Sequence, residues 1–144
     1  MKAEQNERLT RIGPGTPCGA LLRRYWQPVA LAEEFDPALD SRMAERPLKA
    51  VRVLGQDMIL FRDDLGRWGL LDRDCPHRNA DLAFARHEVD GVRCPFHGWK
   101  FDATGRFLWL SQPEGSYPEL TDPHDFFAAD FVSGEHGHLT CPQH

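Results

Sequence analysis

Two short segments constrain this chain more than anything else in it: CPHRNA, beginning at Cys75, and CPFHGWKF, beginning at Cys94. The first supplies Cys75-x-His77 and the second Cys94-x-x-His97, with residues 78–93 between them. Each segment therefore offers one thiolate and one imidazole. A binuclear iron–sulfur centre in which two Cys hold one iron and two His hold the other needs that mixture, because two loops must then each reach both metals. Exchanging two anionic thiolates for neutral imidazoles makes such a centre less negative and easier to reduce, so histidine ligation sets its potential. Pro76 and Pro95 stiffen the segments, and Gly98 permits close backbone approach, where amide N–H groups can bond to sulfur.

Three other readings compete for the same residues. A tetrahedral zinc site also takes two Cys and two His, but its ligands usually pair like with like along the chain. Two disulfides from the four cysteines would need an oxidising compartment, and the charged opening MKAEQNERLTR lacks the apolar stretch of a signal peptide. Chance spacing must be set against two such pairs falling in separate turn-rich segments.

A length of 144 residues fits one compact domain and is short for two. The net charge of -5, with no run of Lys or Arg, argues against nucleic acid or an anionic membrane as partner. No apolar run approaches membrane-spanning length, and the expected location is the cytoplasm.

Residues 1–15 are polar and end in a Gly-Pro-Gly turn. Thr16-Pro17 then reads as an N-cap followed by proline at the first helical position. In the short helix predicted here Leu21, Leu22, Tyr25 and Trp26 share one face, expected to pack on the main domain, while Arg23 and Arg24 point away. Cys18 reads as a small buried apolar residue. From Leu48 the runs LKAVRVL, DMILFR and RWGLLD, separated by turn residues, predict an antiparallel meander. Two further hairpins are expected, one with Asp90-Gly91 at its tip and one turning at 102–105, so that Cys94 and His97 lie between the two turns.

The stretch CPHRNADLAFARHEVDGVRCPFHGWKFDATGRF resembles the Rieske domain of aromatic ring-hydroxylating oxygenases, and GPGTPCGALLRRYWQPVAL resembles the lead-in of their phthalate-dioxygenase-like branch. The similarity covers approximately residues 11–113. It implies a mostly β fold, a Rieske-type antiparallel β-sandwich with a two-loop cluster-binding subdomain and a short N-terminal helix. It further implies a [2Fe–2S] cluster with Cys75 and Cys94 on the buried iron and His77 and His97 on the outer one. Neither loop carries the extra Cys that links the loops in respiratory Rieske proteins. Trp99 and Phe101 stand where that type has hydroxyl donors, so a potential at the low end of the Rieske range, about -150 mV, is expected.

The expected organisation is a lead-in over 1–28, a Rieske domain over 29–113 and a tail over 114–144, part of it disordered. Two roles follow from the resemblance. One is the N-terminal electron-transfer part of an oxygenase, fed by a reductase or ferredoxin and serving a mononuclear-iron catalytic domain. The other is a freestanding Rieske ferredoxin, while a zinc-stabilised module is a third and different class. The two His and one carboxylate of a mononuclear iron site are not found in the family's pattern, so hydroxylation by this chain alone is not expected. Trp99 reads either as cover for the cluster or as plain core, and Arg78 as a charged rim for a partner or a solvated side chain. The tail spacing of His136, His138, Cys141 and His144 invites a second metal, against the reading of a frayed polar terminus.

Overall fold

The computed structural model describes residues 2–109 together with the backbone of the strands at 132–133 and 138–141. Among the described residues, helices α1 (Ala3–Thr10) and α2 (Pro17–Leu22) precede ten strands. These are β1 (Gln27–Leu31), β2 (Leu48–Val53), β3 (Gln56–Arg62), β4 (Trp68–Asp72), β5 (Arg86–Glu88), β6 (Gly91–Arg93), β7 (Lys100–Phe101), β8 (Phe107–Trp109), β9 (Val132–Ser133) and β10 (His138–Cys141). They form three antiparallel sheets, ordered β1-β10-β9, β2-β3-β4 and β5-β6-β7-β8. The mostly β, antiparallel architecture is the expected one.

The meander forms where turn chemistry and alternation coincide. Leu54 and Gly55 join β2 to β3 with φ of 46° and 77°, the left-handed pair a two-residue hairpin requires. Strand β3 is central, and its residues 58–61 are all buried, facing two sides in turn. Met58 and Leu60 pack with Phe35, Met43, Val53 and Leu70. Ile59 and Phe61 face the other way, into a layer shared with Leu71, Leu82, Val92, Phe101, Cys75 and Cys94. The two cysteines of the candidate site thus lie within the main core.

A second junction locks the hairpins together. The carboxylate of Asp63, a buried charged residue, accepts from the backbone N–H and Nε of Arg67 at 2.8 and 2.7 Å. From that turn the Asp64 N–H donates to the Val89 carbonyl at 3.1 Å, and Arg67 Nη2 to the Asp90 carbonyl at 3.4 Å. The tip of the β3–β4 hairpin is thereby pinned to the tip of β5–β6, which fixes the four-stranded sheet on the meander.

The N-terminal region departs from expectation. Thr16 caps α2 as predicted, accepting from the Gly19 N–H at 3.1 Å. Yet Leu21, Tyr25 and Trp26 are more than half exposed, and it is Arg23 that ties the helix down, donating to the carbonyls of Ile12 and Leu54 at 3.1 Å each. The reason is helix length. Regular helix ends at Leu22, so residues 25–26 lie beyond it and no longer share its period. The packed face is instead that of Gly19, where a Cβ would stand 2.4 Å from the carbonyls of Ile12 and Gly13. Cys18 is half-buried rather than buried, and lines an apolar groove with Leu9, Pro17 and Leu21. Helix α1, wholly exposed, occupies a stretch read only as polar.

Strand β1 starts at Gln27 and so straddles the expected boundary after residue 28. Its partner is β10, with Gln27 opposite Cys141 and Leu31 opposite His138. Apart from the two strands named, the tail at 114–144 lies outside the described residues, as do His136 and His144. Among the described residues no helix is long and apolar enough to cross a membrane.

Candidate metal centre

Two loops make the site, and their backbones are built alike. In the first, the Cys75 N–H donates to the Ala80 carbonyl at 2.9 Å, and the Asn79 N–H to the Cys75 carbonyl at 2.8 Å. In the second, the Cys94 N–H donates to the Trp99 carbonyl at 2.7 Å, and the Gly98 N–H to the Cys94 carbonyl at 3.1 Å. Each loop is thus a six-residue turn closed on its own cysteine, with its fifth residue left-handed: Asn79 at φ 51° and Gly98 at φ 75°. Asn and Gly are the residue types that tolerate this conformation, which explains their places in the two motifs. The loops differ in where the histidine stands, third in one and fourth in the other.

The thiols lie inside and the imidazoles outside. Cys75 and Cys94 are 1% and 3% exposed, whereas His77 and His97 are half-buried. Burial pushes the Cys75 thiol far above its ordinary value, and the adjoining Cys94 adds to this; backbone N–H groups of His77 and Arg78 pointing at the sulfur pull the other way. Without a metal the Cys75 thiol keeps its proton, and binding a metal there must release it. The rings of His77 and His97 stand edge to face with centroids 4.6 Å apart. Partial burial, and then the neighbouring His97 and Arg78, lower the His77 pKa, which favours the neutral form that binds metal.

Trp99 reaches from the second loop to the first. Its ring is parallel to that of His77 within 7°, at 4.6 Å between centroids, and its edges pack near Phe107 and Phe101. It belongs to the core and lies flat on His77. Its Nε1–H is buried without a hydrogen-bond partner among the described residues, an orphan that leaves place for an acceptor from outside the chain. Phe96, 62% exposed, lies against His97 at 4.0 Å between ring centroids, and Arg78 is exposed beside His77.

Each loop is also braced by a side-chain ion pair outside the two motifs. Arg73 forks onto Asp81 at 2.9 and 2.6 Å, joining the entrance of the first loop to its exit, and Asp81 also accepts from the Ala83 N–H at 2.8 Å. That contact holds the Asp81 carboxyl below its ordinary range. Behind the second loop Arg93 donates to the Gly98 carbonyl at 2.9 Å and forks onto Glu88, which Lys100 also bonds at 2.9 Å. The one sequence signal for these residues is an arginine shortly before each cysteine, two positions before Cys75 and one before Cys94.

The donor set suits a two-iron cluster better than a single ion. Among the described residues no three His, Cys, Asp or Glu side chains converge as one mononuclear site requires. The donors instead pair off, sulfur with sulfur and imidazole with imidazole, the division of labour a mixed-ligand [2Fe–2S] group demands.

Comparison with known proteins places the chain in a class. Residues 26–118 match the model of the Rieske [2Fe–2S] domain, and the chain belongs to that family and carries its type of cluster. Several of its relatives are oxygenase subunits. Over 124 residues it is 47% identical to the 5,5'-dehydrodivanillate O-demethylase oxygenase subunit of Sphingobium sp. (strain NBRC 103272 / SYK-6), covering 83% of this chain and 27% of that protein. It is 40% identical to the phthalate 4,5-dioxygenase oxygenase subunit of Pseudomonas putida, covering 78% of this chain and 25% of that one. The chain thus spans about a quarter of the length of these curated relatives. Among solved structures, NdmA of Pseudomonas putida CBB5 superposes with a TM-score of 0.70 at 20% identity, over 87% of this chain and 36% of that one, which shows the shared fold.

Proposed function

We propose that Cys75 and Cys94 hold one iron of the Rieske cluster and His77 and His97 the other, and that the domain relays single electrons within an oxygenase that acts on aromatic compounds. The observation that supports this most directly is the pairing of donors across two matched loops, thiols in the core and imidazoles toward the surface. Bound there, the cluster supplies a one-electron redox couple.

The chain's own residues do the rest. The core around Cys75 and Cys94 excludes water from the sulfur side. Trp99 fixes the plane of His77, and the half-buried imidazoles leave one side of the site open to a partner. That partner is a reductase or ferredoxin as donor. The acceptor is a mononuclear iron in the part of the relatives that this chain does not span, and the names of those relatives point to aromatic carboxylates and aryl ethers as the substrate class. The proposed compartment is the cytoplasm, where the thiols of Cys75 and Cys94 stay reduced for assembly.

The test is iron and acid-labile sulfide analysis of the purified chain, with an EPR spectrum after reduction by a reductase and NADH. Iron and sulfide in equal amounts, with a reducible Rieske-type signal, are expected. A colourless protein binding one zinc would overturn the proposal.

A further inference from the structure

Arg93 has a position that no ligand assignment uses. It is the last residue of β6 and immediately precedes Cys94, yet its side chain turns back along the second loop. Nη1 donates to the Gly98 carbonyl at 2.9 Å, while Nε and Nη2 face the two oxygens of Glu88, the latter at 3.0 Å. One planar guanidinium therefore joins β5 to the far end of the loop, a task that needs donors spread in a fixed fork.

Gly98 is the most sensitive place on the loop to grip. It stands between His97 and Trp99, and its peptide plane helps set the direction of both. Trp99 in turn lies flat on His77. A tilt of the Gly98 peptide would therefore turn one imidazole directly and the other through the indole.

The charges around Arg93 are arranged to cancel. Glu88 lies between Arg93 and Lys100, and Lys100 also bonds Asp90, so two cations meet two anions. Side-chain exposures of 17% for Arg93, 13% for Lys100 and 29% for Glu88 keep the group partly out of water. Arg93 and Lys100 are cross-strand partners in the β6–β7 ladder, so the network is fixed by sheet register as well as by charge. The carboxyl of Glu88 is accordingly held at about 2, chiefly by its bonds with Arg93.

We propose that Arg93 is a positioning residue for the cluster: by gripping the Gly98 carbonyl it fixes His97 and Trp99, and through them the set of both imidazoles, while Glu88 holds the guanidinium plane and cancels its charge. The inference rests on the proposed ligand set. It is separable from that set, because Arg93 acts through backbone and not through metal.

The experiment compares R93K, R93M and E88Q in the cluster-loaded chain, by EPR of the reduced state, midpoint potential and rate of iron release to a chelator. A lysine keeps the charge but cannot span Gly98 and Glu88 together. R93K and R93M are therefore both expected to broaden the EPR lines and to move the potential in the same direction, with iron release roughly tenfold faster for the loss of one charge-assisted bond. E88Q, which leaves Arg93 in place with a weaker anchor, is expected to show the same broadening at smaller amplitude. Wild-type spectra from R93K with a lowered potential in R93M alone would overturn the proposal, since charge and not position would then be the cause. Unchanged spectra and potential in both R93K and E88Q would also overturn it, even if R93M failed to fold. A C94S variant made alongside tests the ligand set by itself: full iron retention there would refute that assignment whatever Arg93 does.

Discussion

The first loop, at Cys75, and the second, at Cys94, share a hydrogen-bond frame and differ in what stands behind it. Both close the sixth residue's carbonyl on the cysteine N–H, and both turn at a left-handed fifth residue. The first is tied by Arg73 and Asp81, whose side chains are 39% and 30% exposed. The second leans on Arg93, Glu88 and Lys100, all less exposed, and is joined through them to three strands of a sheet. The frame is thus common property of the site, while the support is not. The first loop is clipped to itself and the second is built into the wall.

Substituting a cysteine in either loop should have the largest effect and abolish the difference between them. C75S and C94S are each expected to lose the cluster entirely, because a serine hydroxyl at neutral pH does not replace a thiolate. Iron and sulfide content measures this, and a variant with its full complement would remove that cysteine from the ligand set. H77C and H97C are milder: either is expected to keep a cluster at lower potential, as negative charge is added. Redox titration checks it, and an unchanged potential in one of them would break the equivalence of the loops.

Removing the braces should separate the loops. E88A leaves Arg93 and Lys100 half-buried without their shared carboxylate, at a cost of roughly 2–3 kcal/mol. D81A loses a more exposed pair and a capping bond, at about 1 kcal/mol. Urea unfolding of the two variants gives the ratio directly, and a larger loss from D81A would reverse the ranking of the supports.

Acid offers a related test. The Glu88 carboxyl sits at about 2, below its ordinary 4.5, so its contribution to stability is full above about 4.5 and is lost as pH falls toward 2. The stability difference between wild type and E88Q should therefore be full at neutral pH and shrink below about pH 4.5, by roughly 1–2 kcal/mol once solvent screening is allowed for. Denaturant midpoints at several pH values would show it, and a difference constant with pH would exclude Glu88 as the anchor.

Substitutions at the left-handed corners should split the loops in a second way. G98A forces an L side chain to φ 75° and is expected to cost about 1–2 kcal/mol. N79G, at φ 51°, should change stability by roughly 0.5 kcal/mol or less. Equal effects at both positions, read from the same unfolding curves, would mean that the two turns are not equivalent in strain.

The sequence carried much of this because the features are local. The cysteines and histidines, the hairpin tip at Asp90-Gly91 and the turn at 102–105 are each specified within a few residues, where residue type dictates backbone shape. What was hidden depends on register or on distant pairing. Glu88, Arg93 and Lys100 lie up to twelve positions apart, and only the β5–β6–β7 ladder brings them together. The pairing of β1 with β10 joins residues more than a hundred positions apart, and nothing near Gln27 or Cys141 announces it. Arg23 misled because a helical period was extended past the end of the helix, where Tyr25 and Trp26 no longer obey it.

Strand β3 has a final consequence for how damage to this protein would be seen. Ile59 and Phe61 press on the same layer as Cys75 and Cys94, so the proposed iron site has no packing of its own apart from the rest of the interior. Metal affinity and core integrity then draw on one free energy. A methylene removed from Ile59, well outside both loops, would register as fading colour before it registered as unfolding, and the visible spectrum becomes a gauge of the protein's interior.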